Sequence, residues 1–378
     1  RVDREYYIND VGNQMNNLGR AAWLRYKELL KQEVVFPDDL YQGAYLYDIA
    51  KDIILKHGKK FLDMAENEAV PFFMEYVSTT ILKGIQDDLA SFGVTFDSWF
   101  SEKQLFDNGT VQRSLEAYRE KKYAYEKDGA LWFGTEKYGD EKDRVIIRDD
   151  GRTTYFASDI SYHEDKLKRG YQHLIDIWGA DHHGYVPRVR AALEALGLPH
   201  DAFNVILVQM VNLLREGVPV AMSTRAGEFV TLKEVIDEVG SDAARFLFLT
   251  RRSDAQLDFD LEVAKKQSDE NPVYYVQYAH ARICSIISVA AERGLALPAW
   301  EDVAVDRLSE PEDLDLVKQL SRFPETVAGS ALAYEPHRIA TFLMDLVGRF
   351  HSYYNKHRVI TDDADLSRAR LFLISSIR

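Results

Sequence analysis

The sequence predicts an α/β fold, a parallel sheet that carries a mostly helical insertion and is followed by an all-helical region. Three observations predict it. Between about residues 150 and 260, short apolar runs of strand character (LIDIWGA, FNVILV) alternate with stretches whose apolar residues recur at helical spacing, the order that builds a parallel sheet. Helical periodicity dominates from Asn13 to about Gln32 and from Tyr45 to about Ser91. From about Asp260 to the end it is almost continuous, with candidate helices near 260–293, 311–333, 335–357 and 365–378. The expected division is therefore a sheet domain of 1–20 with 150–260, an insertion over 21–149, and a helical domain over 261–378.

Taken in order, Glu5 to Ile8 reads as a strand closed by an Asn/Asp/Gly turn, and Gly58 and Pro71 are expected to interrupt the helices of the insertion. LWF and RVIIR read as two antiparallel strands joined by a Gly-containing loop, so the insertion should hold a small β part. After the turn Asp149-Asp150-Gly151, TTYFASDISYHEDK starts as strand or helix and continues as helix, followed by the buried strand LIDIWGA, a loop and a helix. FNVILV opens the next unit as a strand, and a polar Gly-containing loop and further helices follow. ALPAWEDVAVDRLSEPEDLD, with Pro298, Pro311 and several acids, reads as a loop within the helical domain.

At 378 residues the chain exceeds what one hydrophobic core supports, so two or more units are expected. A composition of 46% hydrophobic and 29% charged residues can bury a core and does not fit long disorder. No apolar stretch approaches the roughly 18 residues of a membrane span, and residues 1–20 lack the order of a signal peptide, which leads to the expectation of a cytoplasmic protein with no membrane partner. The single cysteine, Cys284, excludes an internal disulfide and is expected to be a small buried residue. A net charge of −14 argues against wholesale coating of nucleic acid. Short basic patches remain at Lys142, Arg144 and Arg148, at Arg188 and Arg190, at Arg251 and Arg252, and at Lys356, His357 and Arg358, for each of which a solvated face is the plainer reading.

Five segments carry chemistry. GVPVAMSTRAGEFVTLKEVID places Ser223, Thr224 and Arg225 in a loop before a helix, where hydroxyls, backbone N–H groups and a guanidinium can meet polyphosphate; the plainer reading is a polar surface loop. IWGADHHGYVPRV ends a strand at Gly179 and exposes Asp181, His182 and His183 at its C-terminal edge, where open α/β sheets bind ligands. Adjacent histidines on one loop rarely converge on one ion, so no metal site is expected there. TTYFASDISYHEDK sets Tyr155 and Asp159 four residues apart, on one face of a helix. A guanidinium needs a planar bidentate acceptor and tolerates an aromatic face, which that pair offers, although on spacing alone the plainer reading is a surface acid and a core phenol. In YYINDVGNQMNNLGR, Tyr7, Asn9, Asp10, Asn13 and Gln14 follow a strand and open a helix, so Asn9 and Asp10 read first as an N-cap. DENPVYYVQYAHARICSI and RFHSYYNKHRVI supply Tyr274, Tyr278, His280, Tyr353, Tyr354, Asn355 and Arg358, types that stack on bases or meet phosphates. Packing is the plainer role for Tyr274, Tyr275 and Tyr278.

Together these segments resemble the bacterial-type arginyl-tRNA synthetases, class I aminoacyl-tRNA synthetases, over nearly the whole chain. AMSTRAGEFVTL is similar to the second class I signature: Ala221, Met222, Ser223, Thr224 and Arg225 occupy the places of lysine-methionine-serine-lysine-serine, so both signature lysines are absent. The resemblance implies a Rossmann-like parallel sheet with a helical insertion and an all-α anticodon-binding domain. It further implies ATP-dependent joining of arginine to tRNA through an arginyl-adenylate, with Mg2+ arriving on the nucleotide. By the same resemblance Ser223, Thr224 and Arg225 are catalytic, Tyr155, Asp159 and His182 bind arginine, and Gly179, Asp181, Met210, Val211 and Met222 bind the nucleotide. Tyr278, Asn355 and Arg358 contact tRNA, and a monomer is expected. The family's first signature would precede Arg1 and its closing helices would follow Arg378, so a chain shortened at both ends and weak in ATP binding is expected. Two other readings stay open: a tRNA-binding piece without catalysis, and a related class I synthetase or adenylyltransferase. One cysteine cannot build the zinc-thiolate site of a cysteine enzyme, and an adenylyltransferase has no use for the helical third.

Overall fold

The computed structural model describes residues 2–220, 230–266, 268 and 271–378, arranged in two compact units. The first unit takes in the described residues of 1–208 and 221–233, and the second those of 209–220 and 234–378.

The first unit opens with β1 (Glu5–Ile8), then three helices, α1 (Asn13–Leu29), α2 (Tyr45–His57) and α3 (Glu66–Ser91). The helices bury Tyr26, Leu46, Ile53 and Phe73 against one another in a core of their own. Gly58 ends α2 with φ 58°, a backbone state that costs glycine nothing and other residues strain. Pro71, expected as a second interruption, lies inside α3, which runs unbroken from Glu66 to Ser91. Its place in the second turn explains this, since a missing N–H so near the helix start removes a single ladder bond. After the helices the chain returns as β2 (Ser98–Ser101), parallel to β1 with Glu5 opposite Ser98 and Ile8 opposite Ser101. No periodicity announces β2, because a four-residue SWFS run is too short to separate from loop.

Next come α4 (Glu102–Asp107), α5 (Thr110–Glu120) and an antiparallel sheet of β3 (Ala124–Lys127), β4 (Ala130–Phe133) and β5 (Arg144–Ile147). The two expected strands are β4 and β5, and β3 is a third added through the turn at Asp128 and Gly129, both at positive φ. The unit continues with α6 (Tyr155–Lys168), β6 (Leu174–Gly179), a 3₁₀ turn over Ala180–Tyr185, α7 (Val186–Ala195) and β7 (Phe203–Val208). β6 and β7 pair in parallel from Leu174 opposite Phe203 to Gly179 opposite Val208. The α6 and α7 residues Phe156, Ile160, Val189 and Leu193 share one core with Phe133, Leu174 and Phe203.

In the second unit β8 (Val211–Arg215) lies between β9 (Val218–Pro219), to which Glu216 and Gly217 turn it at positive φ, and the parallel strand β10 (Leu257–Asp260). Helices make up the rest: α8 (Leu232–Val239, which begins in the first unit), α9 (Ser241–Leu249), α10 (Leu261–Lys265), α11 (Pro272–Glu292), α12 (Pro311–Ser321), α13 (Phe323–Ala333), α14 (His337–Lys356) and α15 (Ala364–Ser375). Ile283, Leu316, Phe350, Tyr353 and Ile374 form their core. The single helix expected over 311–333 is two, broken at Arg322. Pro324 lies in the first turn of α13, where its missing N–H cannot continue the ladder from α12. Cys284, expected to be buried, is half-buried, with its sulfur 3.8 Å from His280 Nδ1.

Candidate active site

The N-terminal half of α6 builds the centre of the site. Tyr155 is its first residue, on the exposed side, and its hydroxyl lies 3.5 Å from where a Cβ on Gly12 would stand. Gly12 sits at φ 103°, so the turn after β1 calls for glycine, while the Tyr155 hydroxyl stands at ordinary contact distance. One helical turn on, Asp159 is half-buried and its Oδ2 accepts a hydrogen bond from the Tyr185 hydroxyl, at the end of the 3₁₀ turn that follows β6.

Further carboxylates act on the same place. Glu102, first residue of α4, is only 3% exposed. Its carboxyl is pushed above the usual range by burial, opposed by the neighbouring hydroxyls of Ser158 and Tyr7 and reinforced by the charges of Asp159 and Asp10. Asp159 is also pushed up, first by burial and then by Asp176, against the pull of Tyr185, His163 and His182. Burial, followed by the charges of Glu102, Asp159 and Asp10, drives the Tyr7 phenol well above its ordinary range. The pocket therefore gathers negative charge faster than the protein neutralises it. A cation with several N–H donors relieves that strain by keeping the carboxylates ionised.

Asp10 corrects an expectation. It does not cap α1, whose N-cap is Gly12 with no side-chain bond. Instead its carboxylate accepts from Ser101 Oγ at 2.6 Å and from Lys103 N at 2.9 Å, closing the start of α4. The tertiary pairing of β1 with β2 brings that second helix start closer than the local one.

At the edge of β6, Asp181 turns its Oδ1 to within 2.5 Å of the point a Gly179 Cβ would occupy. Asp181 is 77% exposed in its side chain, and His182 Nε2 stands 3.6 Å from its Oδ2. His183 turns Nδ1 to the Ala180 carbonyl at 3.0 Å. Among the described residues no group of three His, Cys, Asp or Glu side chains is placed to hold a metal. Met210 is exposed and Val211 starts β8, both in the second unit. Met222, Ser223, Thr224 and Arg225 lie outside the described residues.

In the second unit Tyr278 is exposed on α11, stacked on Tyr274 with centroids 6.1 Å apart and on His351 at 5.9 Å. The Arg282 guanidinium lies 4.5 Å from the Tyr278 ring and 4.3 Å from that of Tyr354. Packing was the plainer expectation for Tyr278, and its exposure corrects it. Tyr353, grouped with the stacking candidates, is instead fully buried in the core. Asn355 and Arg358 are exposed at the end of α14 and just beyond it. Arg282 escaped sequence reading, although its i+4 spacing from Tyr278 was a usable signal. The basic patches are largely paired: Arg144 with Asp140 at 2.6 Å, Lys356 with Glu312 at 2.6 Å, and Arg252 with Asp254 at 2.8 Å.

Comparisons with known proteins agree with this geometry. Residues 1–283 match the family model described as tRNA synthetases class I (R), catalytic domain, and residues 276–378 match the DALR anticodon binding domain. The fold is that of a class I aminoacyl-tRNA synthetase with its helical anticodon-binding module. Among curated relatives, the arginine–tRNA ligase of Geobacter sp. (strain M21) is 58% identical over 377 residues, covering the whole of this chain and 68% of its own length. The arginine–tRNA ligase of Desulfovibrio desulfuricans is 50% identical over 378 residues, with the same coverage. A crystal structure described as an arginyl tRNA synthetase from Campylobacter jejuni superposes with a TM-score of 0.87 at 38% identity, covering 99% of this chain and 81% of that one. The arginyl-tRNA synthetase of Thermus thermophilus shares the fold, with a TM-score of 0.73 at 21% identity over 99% of this chain and 72% of its own. The chain belongs to the arginyl-tRNA synthetases, the enzymes that attach arginine to tRNA.

Proposed function

We propose that the pocket around Asp159 holds the guanidinium of arginine. Asp159 is the principal acceptor, Tyr155 flanks it, and His182 reaches it from the edge of β6. The observation that carries this reading is the Asp159 carboxylate, half-buried, bonded by Tyr185 and close enough to the buried Glu102 for its charge to raise that carboxyl. A pocket so charged favours a forked cation over a neutral side chain. ATP lies along the C-terminal edge of β6 against Gly179 and Asp181, with Met210, Val211 and Met222 as further contacts. Ser223, Thr224 and Arg225 offer hydroxyl and guanidinium donors to the phosphates, a role supported by their place in the second signature.

In this reading the chain positions and neutralises more than it reacts. The pocket orients arginine so that its carboxylate attacks the α-phosphate in line and pyrophosphate leaves; a hydroxyl of the terminal ribose of tRNA then attacks the arginyl carbonyl and AMP leaves. Mg2+ arriving with the nucleotide would supply positive charge at the phosphates. Tyr278, with Asn355 and Arg358, forms the tRNA-binding face, which the exposed stack on α11 supports. The domain division of 1–20 with 150–260, 21–149 and 261–378 belongs to the same reading, as do monomeric state and cytoplasmic location. Among the described residues no helix is long and apolar enough to cross a membrane.

Replacing Asp159 by Ala in the full enzyme tests the pocket. Pyrophosphate exchange should show the arginine KM raised about a hundred-fold and the ATP KM nearly unmoved. Equal shifts in both would remove Asp159 from arginine recognition.

A further inference from the structure

Behind the pocket lies a buried polar chain that arginine recognition, as described so far, does not use. His163 follows Asp159 by one turn of α6, and its side chain is 4% exposed. Its Nδ1 lies 2.7 Å from the main-chain oxygen of Asp159, and its Nε2 lies 2.7 Å from Oδ2 of Asp176 on β6. The other Asp176 oxygen accepts from Lys166 Nζ at 3.1 Å. The imidazole is packed between the rings of Tyr162, 5.4 Å away, and Phe203 of β7, 5.5 Å away.

A carbonyl oxygen only accepts, so Nδ1 must carry a proton. Asp176 is ionised: burial opposes its charge, but His163 and then Lys166 hold its carboxyl well below the usual range. A main-chain carbonyl faces one ring nitrogen and a carboxylate faces the other, so the ring spans two oxygen partners on different elements. A buried ring fixed at both nitrogens has one orientation, and it connects the helix that carries Asp159 to the strand whose end forms the nucleotide edge.

We propose that His163 is a positioning residue for arginine recognition, tying the backbone of Asp159 to Asp176 on β6 and so fixing where the Asp159 carboxylate stands. Tyr185 holds that carboxylate from the other side. The proposal rests on the reading of Asp159 as the guanidinium acceptor. Histidine suits the task because its two nitrogens point apart at a fixed angle, which neither a lysine nor a glutamine reproduces.

Arginine KM, ATP KM and kcat, measured in the full enzyme, test it with His163→Gln, which keeps a donor near the place of Nε2, and His163→Asn, which keeps one near that of Nδ1. Each loses one end of the tie, and each is expected to raise the arginine KM about ten-fold while the ATP KM stays within about two-fold. Asp176→Asn keeps the shape of the far end, removes its charge and should move the same constant, which guards against misfolding of the histidine variants. In an Asp159→Ala background His163→Gln should raise the arginine KM no further, because a residue acting through Asp159 has nothing left to position. Melting curves separate this from general weakening: a purely structural His163 lowers the melting temperature, leaves the ratio of the two KM values intact and adds to Asp159→Ala. That pattern, or an arginine KM unmoved in folded variants, overturns the proposal. If Asp159→Ala itself leaves the arginine KM unchanged, the reading of the pocket fails; if Asp159→Ala acts and the His163 and Asp176 variants do not, only the positioning role fails.

Discussion

Asp159 on α6 and Asp181 at the end of β6 are the same side chain in two settings. Asp159 is half-buried, bonded by a phenol and backed by a second layer of hydrogen bonds. Asp181 is 77% exposed in its side chain, with His182 Nε2 3.6 Å from its Oδ2. The contrast separates a pocket organised before its ligand arrives from an edge that the ligand itself must organise. Burial makes the first demanding, since an uncompensated charge there is costly, and water makes the second forgiving.

The largest effect should come from the buried side. Asp159→Asn keeps the shape and removes the charge, so the arginine KM should rise about a hundred-fold in aminoacylation. It should also raise the melting temperature at neutral pH. The sign follows from the direction of the shift: a carboxyl raised on folding binds its proton more tightly in the native state, so its contribution to stability is present at low pH and lost as pH rises through the raised value. A melting temperature that falls in Asp159→Asn would contradict the picture of a frustrated carboxylate.

Arginine affinity has the opposite pH dependence, because binding needs the ionised form. The arginine KM of the unaltered enzyme should climb as pH falls, beginning above the ordinary carboxylate range, while the ATP KM lacks this step. A flat arginine KM down to that range would break the comparison from the pocket side. Tyr185→Phe, which deletes the hydroxyl donated to Asp159, should cost about ten-fold in arginine KM with kcat little changed.

Smaller effects are expected where water already competes. Arg282→Ala removes the cation between Tyr278 and Tyr354, and should raise the tRNA KM about three-fold without touching pyrophosphate exchange. His183→Ala should leave all three KM values within about two-fold, since its ring only turns back to the Ala180 carbonyl. A ten-fold loss there would show that the exposed edge is as organised as the pocket, and the contrast would dissolve.

The sequence by itself determined a good deal. Alternation of apolar runs with helical periodicity is a local property, so β6, β7 and the helices around them were legible, as were β4 and β5 of the insertion. The spacing of Tyr155 and Asp159 put them on one face once the stretch is helical, as it is, and the resemblance of AMSTRAGEFVTL, GADHH and TTYFASD supplied the family. Only the tertiary structure decided the rest. β2 is too short to announce itself and exists by pairing with β1 across more than ninety residues of sequence, which also turns Asp10 from the start of α1 to the start of α4. Glu102, Tyr185 and His163 look like ordinary polar residues in one dimension. Their importance comes from burial and from partners on other elements, and both are sums over neighbours distant in sequence, which no window along the chain can contain.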